Sequence, residues 1–194
     1  LSCTLGCALG CFFGSTGGFA AIVCGSGNNA GDGYALALLL QEAGVVCDVI
    51  LLTDRFSEDG AYYFDLCRRE AIPILPFSKF TDFSDYTEIV DCIFGTGFKG
   101  EATGAAADAI RAINESRKTV ISVDINSGLD GDSGIASLCV HSDLTVSIGT
   151  IKQGLLLNQA KDVIKRLVNI DIGISINKND RYLIELNDLA SVFP

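Results

Sequence analysis

The chain has 194 residues, enough for one domain with a real core, and a formal net charge of −10 at pH 7 from 24 acidic and 14 basic side chains. A hydrophobic share of 48 % beside 20 % charged residues fits a soluble globular protein. The acidic balance argues against an electrostatic grip on nucleic acid or an anionic membrane, because phosphate-rich partners require a basic face.

No charged residue precedes Asp32. Glycines at 6, 10, 14, 17 and 18 and the lack of a basic leader fit neither a signal peptide nor a membrane span, so the opening reads as a packed helix feeding a buried strand. Cys3, Cys7 and Cys11 would share one face of that helix, but their spacing matches no cluster motif. With His141 the only histidine, a zinc site is discounted as well. The eight cysteines contain no C-x-x-C pair and mostly sit in apolar runs, which reads as buried free thiols in a reducing, cytoplasmic setting. The absence of methionine suggests a trimmed or processed form.

From there apolar runs alternate with helical segments. Ala20–Cys24 reads as a strand and Asp32–Ala43 as a helix ended by Gly44. Cys47–Thr53 reads as a strand, and Ser57 caps a helix to about Ala71, with Glu58 and Asp59 in its first turn. Pro73 and Pro76 bracket a short strand. Strands follow at Glu88–Phe94, Thr119–Ile125, Leu144–Ile148 and Leu167–Ile172, with a helix over Ala105–Asn114. Near-continuous apolar strands separated by helices predict an α/β, Rossmann-like three-layer sandwich with a mostly parallel central sheet and right-handed crossovers. Residues 1–194 read as a single domain; the polar stretch 178–194 reads as an edge element or exit tail.

Three glycine-rich loops, Gly25–Gly33, Gly95–Gly104 and Asn126–Gly134, each follow a predicted strand. In a doubly wound sheet such loops share the rim where ligands bind. The first, CGSGNNAGDG, spaces Gly25, Gly27 and Gly31 as G-x-G-x-x-x-G, one residue longer than the dinucleotide fingerprint. Its glycines and the helix start suit a phosphate, while its Asn and Asp residues equally suit a plain strand-to-helix turn. The second, FGTGFKGEATG, offers Thr96, Lys99 and Thr103 as donors for a phosphate or pyrophosphate.

Asp91, inside the apolar run EIVDCIFG, is costly without a partner, and a cation is a reasonable one. Asp91, Asn29 and Ser127 are all oxygen donors, and one carboxylate among neutral oxygens suits a monovalent ion. Asp124 ends a β-branched strand in SVDINSGLDGDSG; it is either an acid–base group facing the cleft or a cap of the next turn.

Taken together, CGSGNNAGDGYALA, VDCIFGTGFKGE, VDINSGLDGDSG and NIDIGI resemble the NAD(P)H-hydrate epimerase family, the YjeF N-terminal domain, over roughly residues 20 to 174. The resemblance implies a Rossmann-like homodimer that interconverts the R and S forms of hydrated NADH and NADPH (NADHX and NADPHX) at C6. An ADP- or ATP-dependent dehydratase, fused or separate, then restores the S form. It further implies that Asn28, Asn29, Ala30, Gly31 and Asp32, with Gly95, Thr96, Gly97, Phe98, Lys99, Gly100 and Glu101, contact the hydrated dinucleotide. Asp124 would act at the substrate, and Asn29, Asp91 and Ser127 would bind a potassium ion. Asn126 stands where the family usually has proline, which implies a less rigid turn. Residues 183–194 resemble the connector that leads into a fused dehydratase domain. The rival functions are a non-catalytic dimerisation or ligand-binding scaffold of the same fold and a conventional NAD(P) oxidoreductase, the latter weakened by the glycine spacing.

Overall fold

The computed structural model of the protein describes residues 18–173. The helix expected to carry Cys3, Cys7 and Cys11 and the connector over 178–194 lie outside the described residues. Seven strands form one sheet: β1 (Phe19–Cys24), β2 (Val46–Leu51), β3 (Ile74–Pro76), β4 (Glu88–Cys92), β5 (Thr119–Val123), β6 (Leu144–Ile148) and β7 (Leu167–Ile170). Their order is β3-β2-β1-β4-β5-β6-β7, and every pairing is parallel. Helices α1 (Asn28–Glu42), α2 (Glu58–Arg69), α3 (Gly104–Glu115) and the single turn α4 (Ala160–Val163) connect them. Among the described residues no helix is long and apolar enough to cross a membrane.

The apolar character of β1 follows from burial on both faces. Ala20, Ile22 and Cys24 pack with Tyr34, Leu36, Ala37 and Leu40 of α1 and Cys67 of α2. Ala21 and Val23 point the other way, onto Ala109, Ile110 and Ile113 of α3. Period-2 alternation along one strand thus feeds two cores and gives the three layers. Cys24, Cys47, Cys67, Cys92 and Cys139 are buried free thiols, as their apolar settings predicted.

Several element ends differ from the sequence reading, each for a local reason. Helix α1 starts at Asn28 rather than Asp32 because the extended Gly27 (φ −90°, ψ −170°) takes the N-cap position. Strand β5 stops at Val123 because Asp124 adopts φ +70°, outside the strand region. Strands β2, β4 and β7 each end two residues before the predicted limit. Ser57 does cap α2, accepting the Gly60 amide at 3.1 Å, with Glu58 and Asp59 in the first turn and Arg68 and Arg69 in the last. The 3₁₀ turn Gln153–Leu156 and α4 are too short for any periodic signal, and sequence reading missed them.

The sheet reverses its order between β1 and β4. Connections leave these neighbours in opposite directions, so a crevice opens beyond their carboxyl ends. Gly25 occupies the first position after β1 and donates its amide to Cys92 O at 3.3 Å. A Cβ there would stand 2.2 Å from Ile93 O, a backbone atom that cannot step aside. Gly25→Ala is therefore expected to cost about 2 kcal/mol of stability. Denaturant unfolding followed by circular dichroism checks this, and an unchanged midpoint would contradict the packing described.

Candidate functional site

A cleft of about 370 Å³ lies beyond the carboxyl ends of β1, β4 and β5. Of the residues singled out from the sequence, Asn28, Asn29, Asp32, Gly95, Thr96, Gly97, Phe98 and Asp124 line it. Ala30 is buried inside α1, and Gly31 is where α1 meets α2: a Cβ on it would lie 3.3 Å from Gly60 Cα. Gly100 and Glu101 are exposed outside the cleft. Lys99 turns to the third loop, pairing with Asp130 at 3.0 Å and Asp132 at 2.7 Å. Asp124, two residues before that loop, lines the cleft.

The helix start shapes one wall. Gly27 caps α1 without a side-chain hydrogen bond, and the first turn carries no acidic residue. The leading amides therefore keep their partial positive charge for an anionic group in the cleft. Phe94 and Phe98 stack at 4.3 Å between ring centroids and form an apolar wall. Gly95 lies against Asn29, whose Cβ would sit 3.3 Å from any side chain placed there.

Beneath the cleft is a buried polar layer. Asp91, on β4, is fully buried and accepts only from neutral donors. Its Oδ2 accepts from Ser122 Oγ (2.9 Å) and the Ser127 amide (2.9 Å); its Oδ1 accepts from Ser127 Oγ (2.5 Å) and the Ile93 amide (3.2 Å). Burial pushes this carboxyl above its ordinary range, while the hydrogen bonds from Ser127, Ile93 and Ser122 oppose the rise. Asn29 bridges layer and cleft, its Nδ2 donating to Phe94 O (2.8 Å) and Val123 O (3.1 Å). Its Oδ1 is buried and meets no hydrogen-bond partner among the described residues. Asn126, expected to loosen the turn, instead anchors it. Its Nδ2 donates to Val140 O and Ser142 Oγ at 2.9 Å each, and its Oδ1 accepts from Thr145 Oγ1 at 2.6 Å. These bonds tie the turn to the 140–145 segment.

Asp124 pairs with Lys152, a residue the sequence reading passed over because nothing local marks it. The second carboxylate of the cleft, Asp32, is pushed up to about 6, first by burial and then by the neighbouring charge of Asp124. The comparable hollow at the opposite rim, beside Arg117, Lys118, His141 and Lys165, has no glycine loop, and its Lys165 is already paired with Asp143.

The profile of the family described as YjeF-related protein N-terminus matches residues 15–154. An NAD(P)H-hydrate epimerase of Pirellula staleyi is 35 % identical over 163 residues, covering 79 % of this chain and 72 % of that one. One of Oenococcus oeni is 35 % identical over 156 residues, covering 79 % and 73 %. A bifunctional NAD(P)H-hydrate repair enzyme Nnr of Coxiella burnetii is 34 % identical over 157 residues, covering 79 % of this chain but 32 % of its own length. The crystal structure of the yeast protein YNL200c superposes with a TM-score of 0.72 at 20 % identity, covering 84 % and 74 %, and shares the fold. With its family profile, its parallel sheet and its switch-point cleft in agreement, the chain belongs to the YjeF-related protein N-terminus family.

Proposed function

We propose that the protein is an NAD(P)H-hydrate epimerase, interconverting the R and S forms of NADHX and NADPHX at C6 of the hydrated nicotinamide ring. The observation that carries this reading is a carboxylate, Asp124, in the same cleft as a helix terminus whose N-cap residue, Gly27, gives it no side-chain hydrogen bond. That pairing of one proton-transferring group with one anion-binding wall suits a dinucleotide, and it accompanies relatives named as epimerases at 35 % identity. A hydride-transfer role is not favoured, since the Gly25–Gly31 spacing departs from the dehydrogenase fingerprint.

The chemistry needs no oxidant. The C6–O bond breaks with its electron pair leaving on oxygen, which takes up a proton and departs as water. The ring nitrogen's lone pair meanwhile forms N1=C6. Water then adds to the opposite face of C6 and releases a proton to solvent, the donor regains one from solvent, and the net change is inversion alone. In this reading Asp124 moves the proton, the amides at the start of α1 hold the pyrophosphate, and Phe94 and Phe98 flank an apolar part of the ligand.

Asn29, Asp91 and Ser127 would hold a potassium ion, supplying fixed positive charge beneath the site. Their chemistry fits: a buried carboxylate with no cationic side chain paired to it among the described residues, beside a buried Asn29 Oδ1 with no partner. A homodimer and a reducing compartment belong to the same reading, the second supported by the five buried free thiols among the described residues. The bifunctional relatives support a fused or separate dehydratase as the consumer of the S form.

Three outcomes are expected. Asp124→Asn should slow equilibration of purified R-NADHX by at least about 100-fold, read chromatographically at early times; full activity in that variant would sink the assignment. Exchanging potassium chloride for choline chloride at equal ionic strength should lower the unfolding midpoint by the equivalent of about 1–3 kcal/mol. The loss should vanish in Asn29→Ala, and a midpoint indifferent to potassium in the parent would count against the ion. The last concerns Asp32. Its folded value near 6 lies above the ordinary 3.8, so the stability intact below pH ~4 is lost as pH rises through about 6. Asp32→Asn should be more stable than the parent at pH 7.5, on the order of 1 kcal/mol after solvent screening, with no gain at pH 4. Parallel pH–stability curves would refute the coupling.

A further inference from the structure

Asp124 and Lys152 form an ion pair at the rim of the cleft. Asp124 leaves β5 with φ +70°, a conformation that costs a non-glycine residue on the order of 1 kcal/mol and survives only where its surroundings enforce it. Its amide donates to Val146 O at 2.7 Å, carrying the β5–β6 ladder one residue further and pointing the side chain at the rim. There Oδ1 is taken by the Lys152 ammonium. The other oxygen, Oδ2, faces Gly95 across the cleft: a Cβ at position 95 would lie 3.6 Å from it. One carboxylate oxygen is thus committed to the scaffold and the other is presented to the ligand space.

Lys152 is itself held. Its Nζ donates to Ile148 O at 2.8 Å and Ser147 Oγ at 3.3 Å, both from β6, as well as to Asp124 Oδ1. An ammonium has three donors, and all three are spent. Its side chain is 15 % exposed, against 17 % for Asp124, so the pair is largely screened from water. A lysine tied in this way has no donor left for a substrate phosphate or hydroxyl. It acts through the carboxylate.

We propose that Lys152 is a positioning residue of the epimerase, locking Asp124 through Oδ1 so that Oδ2 alone addresses the C6 hydroxyl; this rests on the epimerase reading above. Without the lock the carboxylate turns about its Cβ–Cγ bond and shares its charge between two orientations. The proton transfer then loses the alignment on which intramolecular catalysis depends. Lys152 also offsets one of the two carboxylates in the cleft, and its charge opposes the upward push that Asp124 exerts on Asp32.

The test compares the parent, Lys152→Met, Lys152→Arg, Asp124→Asn and the double variant Asp124→Asn/Lys152→Met. R-NADHX is the substrate, and kcat and KM for the approach to the R/S equilibrium are measured separately. Lys152→Met is expected to lose about 100-fold in kcat with KM within about threefold of the parent, and Lys152→Arg to recover to within about tenfold. The double variant should be no slower than Asp124→Asn alone, since the lysine works only through that carboxylate. Should Lys152→Met not fold by circular dichroism, Lys152→Gln takes its place under the same criteria. A kcat within threefold of the parent overturns the proposal. So does a raised KM at unchanged kcat, which would mean direct substrate binding. A parent that does not epimerise at all overturns the functional reading instead, so the two failures are told apart.

Discussion

The structure turns on a charged group that the sheet has to accommodate in its own middle. Asp91 lies near the carboxyl end of a strand buried on both faces, where an unsatisfied carboxylate would be prohibitive. The fold answers by wrapping the end of β5 around it: Ser122 from the strand, then the amide and hydroxyl of Ser127 from the turn beyond. Satisfying Asp91 therefore dictates where residues 123–127 run, and Asp124 is carried along on that path. The left-handed conformation of Asp124 is the local consequence of a turn that must bring Ser127 back beneath β4.

From this clasp the rest of the rim follows. Ser127 also accepts the Phe94 amide, which sets the start of the second glycine loop. Asn29 donates to Phe94 O and Val123 O, which seats the first turn of α1 against both neighbouring strands. Asn126 reaches the other way, to the 140–145 segment, and ties the turn to β6. The cleft is thus lined by flexible-looking glycine loops whose roots are held by buried polar side chains. Such a floor holds the side chains that line the cleft in place. The segment after β6 supplies the last element, Lys152, which pairs at the rim with Asp124, the residue that follows β5.

Much of this was legible in the residues. Apolar runs buried on both faces, alternating with helices, have few solutions other than a parallel sheet between two helical layers, because backbone pairing and face burial leave no other arrangement satisfied. The placement of Asn29, Asp91, Asp124 and Ser127 near one rim followed from each lying at or just past a strand's carboxyl end. Element ends were less legible. Whether NNAGD is loop or helix depends on which residue takes the cap, a choice made by Gly27 and by packing against β4 and β5 rather than by propensity.

What sequence alone determined, then, is everything governed by neighbours along the chain: the layering, the strand-then-glycine loops, the Ser57 cap, and the roster of carboxylates beyond strand ends. What only the tertiary structure decided is everything governed by neighbours across the sheet. Lys99, a lone lysine in a glycine loop, reads from sequence as a phosphate donor, yet it pairs with Asp130 and Asp132, 31 and 33 residues away. Lys152 carries no local mark at all; it became part of the site because β6 lies beside β5 and ends level with Asp124, 28 residues earlier in the chain. Charges choose partners by distance in space, and at these separations only the strand order sets that distance.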